Sequence, residues 1–273
     1  MPTNGWILSG VRTPFVKAGS QFRKVPSYEL GRIAAAETIA RAELDPERLD
    51  EVIFGHCAMP AEAANSSRIV ALRAGVPERV PAFTVHRNCA SGMEAVASAL
   101  YRIASGDAAL VLAGGMENMT QVPLQFVPEY AEWLEGLVRA KTPAQKLGAA
   151  TKFRPSMLAP RIALAEGLTD LVCGLNMGQT AENVAKDFGI GREEQDAFAL
   201  RSHQLAIVAR EKLREEIVPV FAAPKYEAVR DDVGPRDGQT IEALAKLKPY
   251  FDRKNGTLVG ASDARKDGLA LGY

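Results

Sequence analysis

Residues 81–120 limit what this chain can fold into more than any other stretch. Residues 82–85 are short, apolar and β-prone. Residues 90–104 carry Met93, Val96, Ala97 and Leu100 at helical spacing, and 108–113 form a continuous apolar run. Two parallel strands cannot be joined by a tight turn and need a crossover, usually a helix, so this order predicts a βαβ unit. Cys89 stands at its first joint, where the strand gives way to the helix. The same alternation precedes it. Residues 6–9 read as a buried strand running through Gly10 into a turn at Arg12-Thr13-Pro14. A helix follows Pro26, with Ser27 as N-cap, Leu30, Ile33, Ala36, Ala40 and Leu44 on one side, and Asp45-Pro46 as its stop. Residues 51–55 then read as a buried strand closed by Gly55. An α/β fold, with helices packed on a sheet, is the expected class.

From 121 to about 249 the strand rhythm is lost, and helices alternate with glycine and proline. This region is expected to be an inserted, mainly helical one. Its clearest helices are 180–188, stopped by Gly189, and 192–213, charged on one face with Phe198, Leu205 and Val208 on the other. A shorter one, 241–247, ends before Pro249. The expected organisation is therefore a core region over 1–120, an insert over 121–249 and a return to the core over 250–273.

Lysine plus arginine balance aspartate plus glutamate at 33 each. No overall charge favours nucleic acid or a membrane surface, so specificity must come from local sites. The longest apolar run, 108–115, falls far short of the roughly 20 residues of a spanning helix. The first residues lack the basic start, apolar run and small-residue cleavage pattern of a signal peptide. Three widely spread cysteines, Cys57, Cys89 and Cys173, fit a reducing, cytoplasmic location better than a disulfide framework. His56 beside Cys57 and His86 near Cys89 do not make a zinc site, because no CxxC pair and no HExxH accompany them.

Cys89 has two readings. A thiol at the start of a helix faces unpaired backbone N–H groups and the positive end of the helix dipole, which stabilise a thiolate. The small Ala90, Ser91 and Gly92 would let a thioester approach those N–H groups, as in a nucleophile elbow. Alternatively Cys89 is a buried small apolar residue, as most unpaired cysteines are. His86 suits a turn or sheet-edge hydrogen bond better than the role of activating base, because strand alternation does not point it at Cys89. Cys57 and Cys173 open no helix and are expected to be packing residues.

Several segments together resemble the thiolase family. They are Val11-Arg12-Thr13-Pro14-Phe15, the run from His86 through Asn88-Cys89-Ala90-Ser91-Gly92-Met93, and Ala113-Gly114-Gly115-Met116-Glu117-Asn118-Met119. Met177-Gly178-Gln179-Thr180-Ala181-Glu182-Asn183, Arg192-Glu193-Glu194-Gln195-Asp196 with Ser202-His203-Gln204, and Leu244-Ala245-Lys246-Leu247-Lys248-Pro249 extend the similarity along the chain in order. The resemblance implies a layered thiolase fold, of which this chain holds the N-terminal half with an inserted CoA-binding loop domain, the C-terminal half being absent. It also implies ping-pong acyl transfer between coenzyme A thioesters, acetyl-CoA or another acyl-CoA, with Cys89 as acyl acceptor. No metal and no resident cofactor are implied, since the CoA thioesters are substrates.

By the same resemblance Arg236 would meet the CoA nucleotide, and its forked donors suit phosphate. Read alone, it is equally a solvated surface residue. Asn176 and Met177 fall where the family lines its pantetheine channel, although many members have histidine at the position of Asn176. Ser262 would keep a pantetheine contact in 260–268, a segment that departs from the family's small-residue run by carrying Asp263 and Arg265. The activating histidine, an oxyanion-hole asparagine and a second cysteine belong to the family's second half. A second polypeptide is therefore expected to supply them in a hetero-oligomer built on a thiolase-type dimer. The rival expectation is a non-catalytic acyl-CoA-binding or scaffolding subunit. A ketosynthase-like condensing enzyme is a weaker third.

Overall fold

A computed structural model of the chain describes residues 5–258. In chain order, α1 spans Ser27–Arg41, β1 Glu51–Gly55, α2 Ser66–Arg73, β2 Ala82–Val85, α3 Ser91–Ser105 and β3 Val111–Gly115. The three strands form one parallel sheet in the order β2-β1-β3. The crossover from β2 through α3 to β3 therefore passes over the central strand. β1 is buried along its whole length because helices cover both of its faces. Val52 and Phe54 point to one side, among Ala35 and Ile39 of α1 and Val70 and Ala71 of α2. Ile53 points to the other, against Ala95 and Ala99 of α3. A strand buried on both faces has no polar side to alternate, which is why its sequence is a continuous apolar run.

Several boundaries differ from the expectations. β3 starts at Val111 rather than 108, because the Asp50 carboxylate accepts the N–H groups of Ala109 and Leu110 at 2.8 and 2.9 Å. Pro26, not Ser27, occupies the N-cap of α1, and no side chain caps it. The helix ends at Arg41, so Asp45 instead caps a separate short turn, Pro46–Arg48. Its buried stripe is Leu30, Gly31, Ala35 and Ile39, rotated from the expected one.

Residues 6–9 are neither strand nor buried, and Trp6 is 79% exposed. A strand needs a partner edge, and among the described residues the pairing next to this segment is the single bridge between Arg12 and Ile217.

Beyond β3 come β4 (Leu124–Phe126), α4 (Pro128–Arg139), α5 (Pro143–Ala150), β5 (Pro160–Ile162), α6 (Ala163–Gly167), α7 (Met177–Asp187), α8 (Arg192–Val208), α9 (Arg210–Glu216), β6 (Val220–Phe221), β7 (Ala228–Val229) and α10 (Ile241–Ala245). β4–β5 and β6–β7 are small antiparallel pairs in a mainly helical region. α7 begins earlier than expected, because Asn176 caps it. The helix expected over 192–213 is two helices meeting at Ala209. Phe198, Leu205 and Val208 on α8 are exposed, contrary to the expected packed face. α8 is held instead by a polar anchor: Arg192 pairs with the buried Asp196 and donates to the Leu244 carbonyl of α10.

Residues 216–232 fasten to the beginning of the chain. Val220 and Ala222 pack with Phe22 and Leu30. Arg12 makes a two-pronged ion pair with Asp232 at 2.7 and 2.8 Å, bonds Glu216 at 2.7 Å and lies over the Phe15 ring. Arg12 is thus a structural clamp in the Val11–Phe15 segment. Among the described residues, no helix is long and apolar enough to cross a membrane.

Candidate active site

The carboxyl ends of β1, β2 and β3 lie side by side, because Gly55 pairs with Val85 on one flank and Gly115 on the other. In open α/β sheets this end is where ligands bind. Cys89 projects there, exposed, from the turn between β2 and α3. It does not sit in the first helical turn, as expected, but just ahead of the N-cap Ala90. Asn88 takes a left-handed φ of 47°, which few residues other than glycine adopt, and so bends the chain sharply before the cysteine. In this chain the Cys89 thiol is exposed rather than buried.

The bend is tied from inside. The Asn88 carbonyl accepts the Ser91 N–H at 3.0 Å, the Ser91 hydroxyl at 2.6 Å and the Cys57 thiol at 2.7 Å. Ser91 Oγ in turn accepts the Arg87 N–H at 2.8 Å. Glycines let the helix start descend onto the sheet. A Cβ at Gly55 would lie 2.2 Å from the Ser91 carbonyl carbon, and one at Gly115 3.1 Å from the Cα of Gly92. His86 makes a turn contact, its Nδ1 accepting the Asn88 N–H at 3.4 Å.

Beneath the bend lies a pair that the sequence reading passed over. His56 is fully buried, with Nδ1 2.8 Å from Ser66 Oγ. The single hydrogen of Ser66 is directed at the Ala63 carbonyl at 2.8 Å, which can only accept, so Nδ1 must donate to Ser66. Nε2 faces Glu117 Oε1 at 3.5 Å, too long for a good hydrogen bond but close enough for an ion pair. Glu117 Oε2 accepts the N–H groups of Cys57 and Ala58 at 3.0 and 3.2 Å.

Burial pushes the Glu117 carboxyl up, but the adjacent imidazole and the two N–H donors outweigh it, and the net result lies below the ordinary glutamate range. A carboxyl lowered on folding stabilises the fold fully above its unfolded value, and that contribution is lost as pH falls through the folded value. Glu117→Gln should therefore flatten the acid side of the stability profile, as read by urea midpoints from neutral pH downward. Parallel profiles for wild type and variant would contradict this role. Cys57 is half-buried, and burial pushes its thiol up. Cys57 is only partly packed, and Cys173, expected to pack, is exposed.

The remaining expected site residues stand on other segments of the chain. Asn176 is the N-cap of α7: its side chain accepts the Gln179 N–H at 2.9 Å while Gln179 returns a bond to the Asn176 N–H at 3.0 Å. Met177 helps line an open apolar cavity of about 390 Å³ with Thr180, Val184, Ile190 and Leu258. Its lining includes neither Cys89 nor Asn176 nor Arg236. Arg236 is half-buried, and its backbone N–H donates to His203 Nδ1 at 3.3 Å. Burial, then the charge of Arg236, lowers the His203 pKa. Ser262 lies outside the described residues. No group of three His, Cys, Asp or Glu side chains that could hold a metal ion occurs among the described residues.

Known proteins match almost the whole chain. The family described as Thiolase, N-terminal domain, matches residues 6–270. A 3-ketoacyl-CoA thiolase of Yersinia enterocolitica (serotype O:8) is 36% identical over 267 residues, covering 97% of this chain and 61% of its own length. One from Yersinia pestis (strain Pestoides F) matches to the same extent. The crystal structure of the Bacillus anthracis acetyl-CoA acetyltransferase superposes with a TM-score of 0.79 at 34% identity, covering 93% of this chain and 60% of that one. This chain thus spans about three fifths of the proteins it matches. An α/β core with a cysteine on the bend after β2, matched over nearly its full length, makes this chain a member of the thiolase family.

Proposed function

We propose that the chain is the acyl-accepting part of an acyl-CoA C-acetyltransferase and works with a second polypeptide that supplies the C-terminal half. The observation that carries this reading is the exposed Cys89 thiol on a sharp bend at the carboxyl end of the sheet. In the first half-reaction the Cys89 thiolate attacks the thioester carbonyl, the tetrahedral oxyanion meets backbone N–H groups at the start of α3, and the CoA thiolate leaves. In the second, the α-carbanion of another acyl-CoA attacks the acyl-cysteine and releases Cys89. Cleavage by free CoA is the reverse. The α-proton needs a base, and the resemblance assigns that group to the second half.

The outer surface of α3 supports a partner. Its inner face buries Ala95 and Ala99, yet Met93 (77% exposed), Tyr101 (73%), Leu100 and Val96 form an apolar outer face, with Trp6, Ile7 and Leu8 exposed as well. A helix apolar on both sides belongs between two layers. The assembly in this reading is a hetero-oligomer on a thiolase-type dimer plan, in the cytoplasm, which unbridged thiols suit. Asn176, Met177, Arg236 and Ser262 are proposed as contacts for the CoA chain and nucleotide, Asn176 through the helix end it caps.

The test is to mix the chain with a polypeptide carrying a C-terminal thiolase half and acetyl-CoA, then map acetylation by peptide mass spectrometry. The reading expects acetyl on Cys89 and release of CoA. Bound acetyl-CoA without label on Cys89 would instead favour a non-catalytic acyl-CoA-binding subunit, the reading that Asp263 and Arg265 in the 260–268 segment recommend.

A further inference from the structure

We propose that the pair of buried His56 and half-buried Glu117 is a positioning device for Cys89, acting through the thiol of Cys57. The inference rests on Cys89 being the acyl acceptor, and it assigns work to three residues that lie outside the acyl-accepting turn itself. His56 follows β1, Glu117 follows β3 and Cys89 follows β2, so parallel register brings all three to one end of the sheet. The contact of half-buried Glu117 with buried His56, at 3.5 Å, is by itself a weak source of stability. Its geometry has a clearer use. With Oε1 set against His56, Glu117 presents Oε2 to the N–H groups of Cys57 and Ala58 and so fixes the direction of the chain leaving β1. That direction puts Cys57 Sγ 2.7 Å from the Asn88 carbonyl and 3.4 Å from Ser91 Oγ.

Asn88 is the residue that must be held, because its left-handed conformation is disfavoured for a side chain with a Cβ. Burial keeps the Cys57 thiol protonated and able to donate. The chain of contacts is therefore Ser66 to His56, His56 to Glu117, Glu117 to the Cys57 backbone, and the Cys57 thiol to Asn88, next to Cys89. If Cys57 is released, Asn88 can relax and Cys89 can swing away from the amides at the start of α3 that favour its thiolate.

The experiment measures iodoacetamide alkylation of Cys89 relative to Cys173 in the intact chain, resolved by peptide mass spectrometry. Cys173 is exposed in the insert and serves as internal reference. Glu117→Ala and Cys57→Ala should each lower the Cys89 to Cys173 ratio about tenfold. Glu117→Gln keeps an acceptor for the two N–H groups, and Cys57→Ser keeps a donor for Asn88. Both should stay within about twofold of wild type, given that tenfold is the effect sought. Ratios unchanged in both alanine variants, even with lower melting temperatures, would overturn the proposal, as would conservative variants that fail like the alanines. If Glu117→Ala does not fold, the milder Cys57→Ala and Cys57→Ser pair decides. The two readings fail separately: alkylation ratios can move as expected in a chain whose Cys89 never takes an acetyl group, and the converse is equally visible.

Discussion

Cys89→Ala, assayed with a partner that carries the C-terminal half, should lower acyl transfer by at least about 1000-fold, the scale on which removing a covalent nucleophile acts. Sulfur forms the only bond between enzyme and acyl group in this mechanism, and a methyl group leaves the rest of the site without an acceptor. Because Cys89 is exposed, its removal opens no cavity, and stability should change by no more than about 0.5 kcal/mol. Affinity for acyl-CoA should also hold, since the proposed CoA contacts, Asn176, Met177, Arg236 and Ser262, do not include Cys89. Turnover within about tenfold of wild type would remove Cys89 from the mechanism, because a tenfold loss is only about 1.4 kcal/mol of barrier.

Gly55→Ala should produce the largest structural effect. The added Cβ would lie 2.2 and 2.3 Å from the carbonyl carbon and oxygen of Ser91 and 2.6 Å from the Gly92 nitrogen. These are backbone atoms of the helix start, so no side-chain rotation relieves the clash, and α3 must back away from β1. Overpacking of this kind costs about 3 kcal/mol or more, which corresponds to a melting-temperature drop of roughly 10 °C at this chain length. The helix start carries the Cys89 bend with it. A misplacement of about 1 Å there should slow acyl transfer about 100-fold in whatever fraction folds. Gly136→Ala provides the control: nothing lies within 4 Å of its would-be Cβ, and in mid-helix the change should stabilise by about 0.5–1 kcal/mol. Equal melting curves for Gly55→Ala and wild type would mean that the close approach at Gly55 does not govern α3.

Strand β2 was legible residue for residue, and α3 nearly so, because a short apolar run and a helical repeat are local signals. The cysteine at their junction was legible for the same reason. The apolar repeat on α8 misled, since periodicity reports which residues share a face and not what lies against it. Phe198 and Val208 share a face that stands open, while Asp196 lies buried beside Arg192. Residues 6–9 misled similarly, for apolar character gives a strand its inclination and not its partner.

What the sequence determined by itself is the βαβ unit, the placement of Cys89 at its joint and the family. These depend on neighbours within a few positions and on motifs kept in order. The tertiary structure alone decided how that cysteine is held. In the sequence His56 stands out only as a candidate zinc ligand beside Cys57, and Glu117 only within the segment Ala113–Met119 that resembles the family. They meet because β1 and β3 pair in parallel with Gly55 opposite Gly115, which brings Cys57 against Glu117 across 60 positions of chain. Strand register is set by packing of the whole sheet, and no local pattern in either segment carries it.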